Sequence, residues 1–153
     1  MLLTTDSAHA VTELKPATNF TINTPQLTGT LQDLQGKVVY VDFWASWCKP
    51  CRKSFPWMNA MQQKHADAGL QILAINLDVE PELAATFLTK VPAIMPIIYD
   101  PQGLIASAYA LVGMPSSYLI DKKGQIRFTH QGFFSAKQQQ YEQEITYLLA
   151  EME

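Results

Sequence analysis

The sequence holds two cysteines, Cys48 and Cys51, with Lys49 and Pro50 between them. A disulfide across so short a gap closes a very small loop and removes little entropy from the unfolded chain, so it makes a poor staple. A chain of 153 residues with 48% apolar content can bury a real core and needs no staple. The pair is therefore expected to bond and open reversibly. Cys48 comes directly after an apolar run and directly before a helical pattern, which predicts its sulfur at a helix N-terminus. Unpaired N–H groups and the positive end of the helix dipole favour a thiolate there, and the thiolate is the nucleophile. Lys49 adds a positive charge. Pro50 stiffens the first turn at a position whose N–H has no intrahelical partner anyway. Cys51 falls one turn in, so the spacing predicts an exposed first sulfur and a covered second one.

Three further features belong to the same expected site. Asp42, six residues before Cys48, is the one acid inside an apolar run. Burial disfavours a charged carboxyl and raises its pKa, so Asp42 is a candidate to accept the Cys51 proton. The alternative is an acid at a strand end that reaches water or caps a loop. Gly113-Met114-Pro115-Ser116 precedes a strand-like segment, where proline is tolerated at a first strand position or in a tight turn. If that loop faces Cys48, the free backbone of Met114 could pair with an extended substrate. The isomer of Pro115 stays open, as does an ordinary turn role. Trp47 is expected as an exposed platform beside Cys48, Trp44 as a core residue, and Trp57 as either.

The elements that must position these residues follow from composition. Residues 38–45 and 70–77 read as strands covered on both faces. Between them, Phe55, Met58, Met61, His65 and Ala68 lie near one helical face, with Gly69 as the stop. A strand-helix-strand crossover is nearly always parallel and right-handed. Pro81 opens a second helix ended near Pro92, and Ile97-Ile98-Tyr99 is a short strand. Asp100-Pro101-Gln102-Gly103 reads as a turn, followed by a short helix within residues 104–111. Residues 117–120 and 125–129, joined by Asp121-Lys122-Lys123-Gly124, predict an antiparallel hairpin. Ser135 and Gln138 have capping-box spacing ahead of a closing helix that carries Tyr141, Ile145, Leu148, Leu149 and Met152. Phe20 to Asn23 and Leu27 to Leu31 suggest a small hairpin before the main fold. Residues 1–18 read as a poorly ordered lead-in and residues 19–153 as one α/β domain.

The stretch Val41-Asp42-Phe43-Trp44-Ala45-Ser46-Trp47-Cys48-Lys49-Pro50-Cys51 closely resembles the active-site segment of thioredoxins. Pro56 matches the helix-kinking proline of that superfamily and Met114-Pro115 its cis-proline loop. The resemblance implies a thioredoxin-like three-layer α/β/α sandwich with a mixed central sheet, here with an N-terminal hairpin extension. That hairpin, the helix and strand between Glu80 and Tyr99, and Pro115-Ser116-Ser117-Tyr118-Leu119-Ile120-Asp121 are similar to the TlpA/ResA branch. It implies a periplasmic or otherwise extracytoplasmic reductant of protein disulfides, with electrons from a transmembrane thiol carrier and, in some members, a role in cytochrome c maturation. No cofactor is implied. Two departures stand out: Ser54 replaces a glutamate common in that branch, and Ala74 stands where thioredoxins pair their buried Asp with a Lys.

Composition narrows the partners. A net charge of −3, with 11 basic residues scattered along the chain, leaves no footprint for nucleic acid or an anionic membrane. No stretch approaches the roughly 20 apolar residues needed to cross a bilayer. Ala8-His9-Ala10 has the form of a leader cleavage site, so a removed leader or anchor stays open, as does a cytoplasmic location. A monomer is expected. Two other activities fit a cysteine pair. A copper metallochaperone would use two thiolates and a distant imidazole such as His130, but with a wider cysteine spacing and a preformed pocket. A thiol peroxidase would ordinarily place its resolving cysteine elsewhere. His9 and His65 show no ligand spacing.

Overall fold

The structure is a computed structural model that describes residues 14–152. Most of the expected lead-in, His9 and the tripeptide Ala8-His9-Ala10 lie outside the described residues. In chain order the elements are β1 (Lys15–Pro16), β2 (Thr21–Asn23), β3 (Thr28–Thr30), β4 (Val38–Trp44), α1 (Lys49–His65), β5 (Leu70–Asn76), α2 (Pro81–Lys90), β6 (Ile97–Tyr99), α3 (Leu104–Ala108), β7 (Ser116–Ile120), β8 (Gln125–Gln131) and α4 (Gln138–Leu149). Six strands form one sheet in the order β1-β8-β7-β4-β5-β6, and β2-β3 is a separate hairpin. Strands β4, β5 and β6 are parallel, whereas β7 runs antiparallel to β4 and β8 to β7.

Every residue of β4 is buried, which is why that run is apolar almost without interruption. Side chains alternate across a strand, so the two faces of β4 feed two different cores. Val38, Tyr40 and Trp44 pack with Phe55 and Met58 of α1, Phe87 of α2, and Tyr141, Ile145 and Leu148 of α4. Val39, Val41 and Phe43 pack with Phe20 and Ile22 of the hairpin, Leu31 and Leu34, and Ala106 and Tyr109 near α3. The result is the expected thioredoxin-like α/β/α arrangement, with the hairpin extending the second layer. Trp44 anchors the first layer, fully buried with its ring centroid 4.7 Å from Phe55 and 4.9 Å from Phe87.

Helix α1 carries Pro56 in its interior and ends before Gly69, whose φ of 109° lets the chain reverse into β5. Its last turn is tied to α4. Glu142 accepts a hydrogen bond from Lys64 and pairs with His65 at 2.9 Å, and these partners hold its carboxyl below the usual range. His65 is thus a structural residue.

Three local expectations differ from the structure. Met152, expected on the apolar stripe of the closing helix, lies past the end of α4 and is exposed, because the helix stops at Leu149. Lys15 and Pro16, within the expected lead-in, pair with Ile126 and Gln125 on the free edge of β8. That edge exists only once the sheet has formed, so the local sequence carries no sign of it. The Ser135/Gln138 capping box does not form. Residues Ser135–Lys137 make a 3-10 turn, and Lys137 precedes α4 with no side-chain cap. The Phe134 N–H instead donates to the Tyr141 hydroxyl at 3.3 Å, and Lys137 N–H reaches back to Phe134 C=O.

Asp100 sets the other approach to the site. Its carboxylate accepts from the N–H groups of Leu104, Ile105 and Ala106 at 2.9, 3.2 and 3.0 Å, satisfying the start of α3. Its own N–H donates to Asn76 C=O. Helix α3 in turn leads into the loop at Gly113. Replacing Asp100 by Ala leaves three buried or half-buried donors unpaired and should cost about 2 kcal/mol in urea unfolding; an unchanged midpoint would show that α3 needs no cap.

Candidate active site

The carboxyl end of β4 leads into a tight turn in which Cys48 N–H donates to Ala45 C=O at 3.1 Å. Cys48 is the residue that caps α1, with extended backbone (φ −83°, ψ 106°), and Lys49 and Pro50 occupy the first two helical positions. Cys48 and Cys51 form a disulfide with their Cα atoms 5.4 Å apart. A sulfur at this place sits among unpaired helix N–H groups, the setting that stabilises thiolate once the bond opens. Lys49 and Pro50 are exposed beside it. The expected contrast between an exposed and a covered sulfur is smaller than the spacing suggested: Cys48 is 4% exposed and Cys51 not at all. In the bonded form both cysteines belong to the core cluster beneath α1, and half-buried Met114 packs against it.

The Met114-Pro115 peptide bond is cis. Its loop is held at both ends: Ser116 Oγ donates to Gly113 C=O at 2.6 Å, and Gly132 N–H donates to Pro115 C=O at 2.7 Å. Ser116 pairs with Phe43 in the sheet, so the loop stands at the same sheet end as Cys48. Among the described residues, Met114 makes no backbone–backbone hydrogen bond. Trp47 is 68% exposed, Trp44 fully buried, and Trp57 buried against Tyr40, Phe133 and Tyr141.

Asp42 lies in the middle of β4 and is 2% exposed, so it neither reaches water nor caps a loop. Strand alternation puts its side chain on the face of Tyr40 and Trp44, toward α1. Its Oδ2 has no hydrogen-bond partner among the described residues. Burial pushes the carboxyl well above the ordinary aspartate range. The residue beside it on β5 is Ala74, so no cation stands there to hold the anion.

Two parts of the site were not read from the sequence. Asp78, just past β5, accepts from Ser46 N–H at 2.9 Å, Ser46 Oγ at 2.7 Å and Asn76 Nδ2 at 2.8 Å. It fixes the turn two residues before Cys48. The available signal was Asn76 and Asp78, two polar residues at the end of an apolar strand. Arg52, in the first turn of α1, stacks over the Phe87 ring at 5.5 Å. His130 does not approach the cysteines as a ligand would; its Nε2 pairs with Glu144 Oε2 at 2.6 Å. Among the described residues no group of three His, Cys, Asp or Glu side chains could hold a metal.

The comparisons with known proteins agree with this geometry. The family model described as Redoxin matches residues 10–145. The thiol-disulfide oxidoreductase ResA of Bacillus thuringiensis subsp. konkukian is 35% identical over 115 residues, covering 73% of this chain and 65% of that protein. The match thus spans just under two thirds of the ResA length. The thioredoxin-like protein YneN of Bacillus subtilis is 34% identical over 134 residues, covering 84% of this chain and 76% of YneN. Among solved structures, a Chlorobium tepidum protein assigned as the thiol:disulfide interchange protein DsbE superposes with a TM-score of 0.85 at 43% identity, covering 90% of this chain and 97% of that one. With its cysteine pair at the head of α1 and this fold, the chain belongs to the Redoxin family and is a thioredoxin-like relative of ResA.

Proposed function

We propose that this protein is a thiol-disulfide oxidoreductase that reduces protein disulfides through Cys48 and Cys51. The observation that carries the reading is the Cys48–Cys51 bond across the first turn of α1, packed on the same face of β4 as a buried carboxyl whose Oδ2 has no partner among the described residues. In the reduced protein the Cys48 thiolate attacks a substrate disulfide and forms a mixed disulfide. One substrate sulfur leaves with the electron pair of the broken bond. Cys51 then attacks Cys48 Sγ, the second substrate sulfur leaves as a thiolate, and the Cys51 proton passes to Asp42. Two electrons have moved to the substrate and the protein holds a disulfide.

Trp47, Met114 and Pro115 form the binding rim in this proposal. The unpaired backbone of Met114 offers main-chain hydrogen bonds to an extended segment, which gives affinity without strict sequence selection. Lys49 and Pro50 tune the reactive sulfur. The similarity to ResA and DsbE proteins supports a reductant working outside the cytoplasm, where protein disulfides persist, in bacteria the periplasm. A membrane thiol carrier would then resupply electrons, and an apocytochrome c cysteine pair fits the substrate class. The protein would act as a monomer with no cofactor.

Insulin reduction driven by dithiothreitol tests the activity. Cys48→Ser should abolish turnover, while Cys51→Ser should accumulate a covalent adduct with substrate, visible as added mass that reductant removes. Turnover surviving in Cys48→Ser would overturn the assignment.

Asp42 yields a second test. Its native pKa lies above its unfolded value, so between the two the native state binds the proton more tightly. Stability contributed by the protonated carboxyl is present below the ordinary aspartate pKa and is lost as pH rises through the native value. The oxidised Asp42→Asn variant should therefore melt above wild type near about pH 8, with the gap closing toward about pH 4. A gap independent of pH would mean that the carboxyl is not destabilised by ionising.

A further inference from the structure

Asp42 must lose the proton it gains before it can serve again, and the way toward the cysteines is shut. Cys51 and Trp44 are fully buried and Cys48 nearly so. The sheet register shows another route. Asp42 pairs with Ser117 on β7, and Ser117 pairs with His130 on β8. Residues directly opposite in neighbouring strands point to the same face, so Asp42, Ser117 and His130 form one row under α4, spanning about 10 Å at the usual strand spacing. Ser117 is 4% exposed. His130 lies at the wet end, with its side chain 16% exposed and its Nε2 2.6 Å from Glu144 Oε2 of α4, itself 12% exposed.

Tyr40 bridges the row from the next position on the same face of β4. Ser117, Asp42 and Glu144 all lie close enough to act on its hydroxyl. Burial and these acids hold the phenol protonated, which leaves it able to donate and accept at once. The polar groups facing this space are therefore Tyr40 and Asp42 from β4, Ser117 from β7, His130 from β8, Cys51 from α1, and Tyr141 and Glu144 from α4. The Tyr141 ring packs 4.7 Å from the His130 ring, and Gln140 Nε2 donates to Glu144 Oε1 at 3.2 Å. A half-buried histidine-carboxylate pair has no structural necessity at this place, since an apolar pair of the same volume could fill it.

We propose that the His130–Glu144 pair is the outlet through which Asp42 exchanges its proton with solvent, with the hydroxyls of Ser117 and Tyr40 in between. This rests on the reading of Asp42 as acceptor of the Cys51 proton. The Cys51 proton passes to Asp42 and onward in the same step that forms the Cys48–Cys51 bond and releases the substrate thiolate, because a proton held on Asp42 would return to Cys51 and reverse the displacement. Asp42 passes it to a hydroxyl, each hydroxyl hands on its own proton, and the pair takes up the last one and yields it to water. Asp42 returns to carboxylate. Only a proton moves; no electrons are transferred along the row.

The test is single-turnover oxidation of the reduced full chain by a symmetrical nitroaryl disulfide, which releases a coloured thiolate twice. The first release reports attack by Cys48 and the second reports displacement by Cys51. His130→Ala should slow the second release about tenfold and leave the first unchanged. Imidazole in the buffer should restore the second rate, whereas pyrazole, similar in shape but scarcely basic, should not. Glu144→Gln, which preserves shape, should slow the same phase and guards against a folding defect in the alanine variant. Asp42→Asn should also slow it, and adding Glu144→Gln should slow it no further. An unchanged second phase in both outlet variants, or equal rescue by pyrazole, overturns the outlet. If Asp42→Asn alone slows the phase, the outlet falls while Asp42 keeps its role. If wild type shows no second release, the oxidoreductase reading falls with it.

Discussion

A carboxyl buried in the central strand of a sheet, with one oxygen unpaired and no cation beside it, is the constraint around which the rest of the site is arranged. Such a group opposes folding whenever it is charged, because water's solvation is lost and nothing replaces it. Asp42 persists in β4 only because a large apolar layer on each side holds the strand in place. That same strand ends in the turn that sets Cys48 at the head of α1. One element thus carries the buried carboxyl and sets the position of the sulfurs, and both placements are fixed by backbone rather than by flexible side chains.

The surroundings of this pair follow from that arrangement. The turn before Cys48 needs rigidity, and Asp78 provides it through three hydrogen bonds to Ser46 and Asn76. The loop of Met114 and Pro115 comes to the same end of the sheet because β7 runs antiparallel to β4. Exposed Trp47 and a Met114 backbone outside the sheet ladder therefore lie at the end of the sheet that carries the cysteines. Opening the disulfide creates a Cys51 thiol, and a thiol is a donor that the bonded sulfur is not. Reduction thereby adds a donor to the layer that Asp42 faces.

Much of this was legible in the chain because it is written in local pattern. The unbroken apolar runs of β4 and β5 announce strands covered on both sides, and the Asp42 exception stands out against them. The helical spacing of Phe55, Met58 and Met61 places α1 between those strands, and Asp121 to Gly124 marks the β7–β8 turn. What was missed depends on contacts between distant residues. Lys15 and Pro16 become a strand only against the finished edge of β8. The Ser135/Gln138 signature loses to a hydrogen bond from Phe134 to Tyr141, seven residues on and outside the four-residue box. The Asp78 clamp on Ser46 and the stacking of Arg52 on Phe87 likewise join groups whose meeting only the fold decides, whereas the Asp100 cap is local and its signal lay in the turn before α3. Ala74 is the intermediate case: the missing cation was visible in the sequence, and the β4–β5 register puts that alanine directly beside Asp42.

The most direct measurement is a carbon-13 NMR titration of the Asp42 carboxyl in the oxidised protein and again after reduction. In the oxidised form the resonance should titrate with a midpoint well above the aspartate value of about 3.9. In the reduced form its titration should be coupled to that of Cys51, so that the two groups share their steps. A midpoint in the ordinary aspartate range, unaffected by reduction, would mean that Asp42 stays charged and solvated, and that this carboxyl takes no part in the exchange at the cysteines.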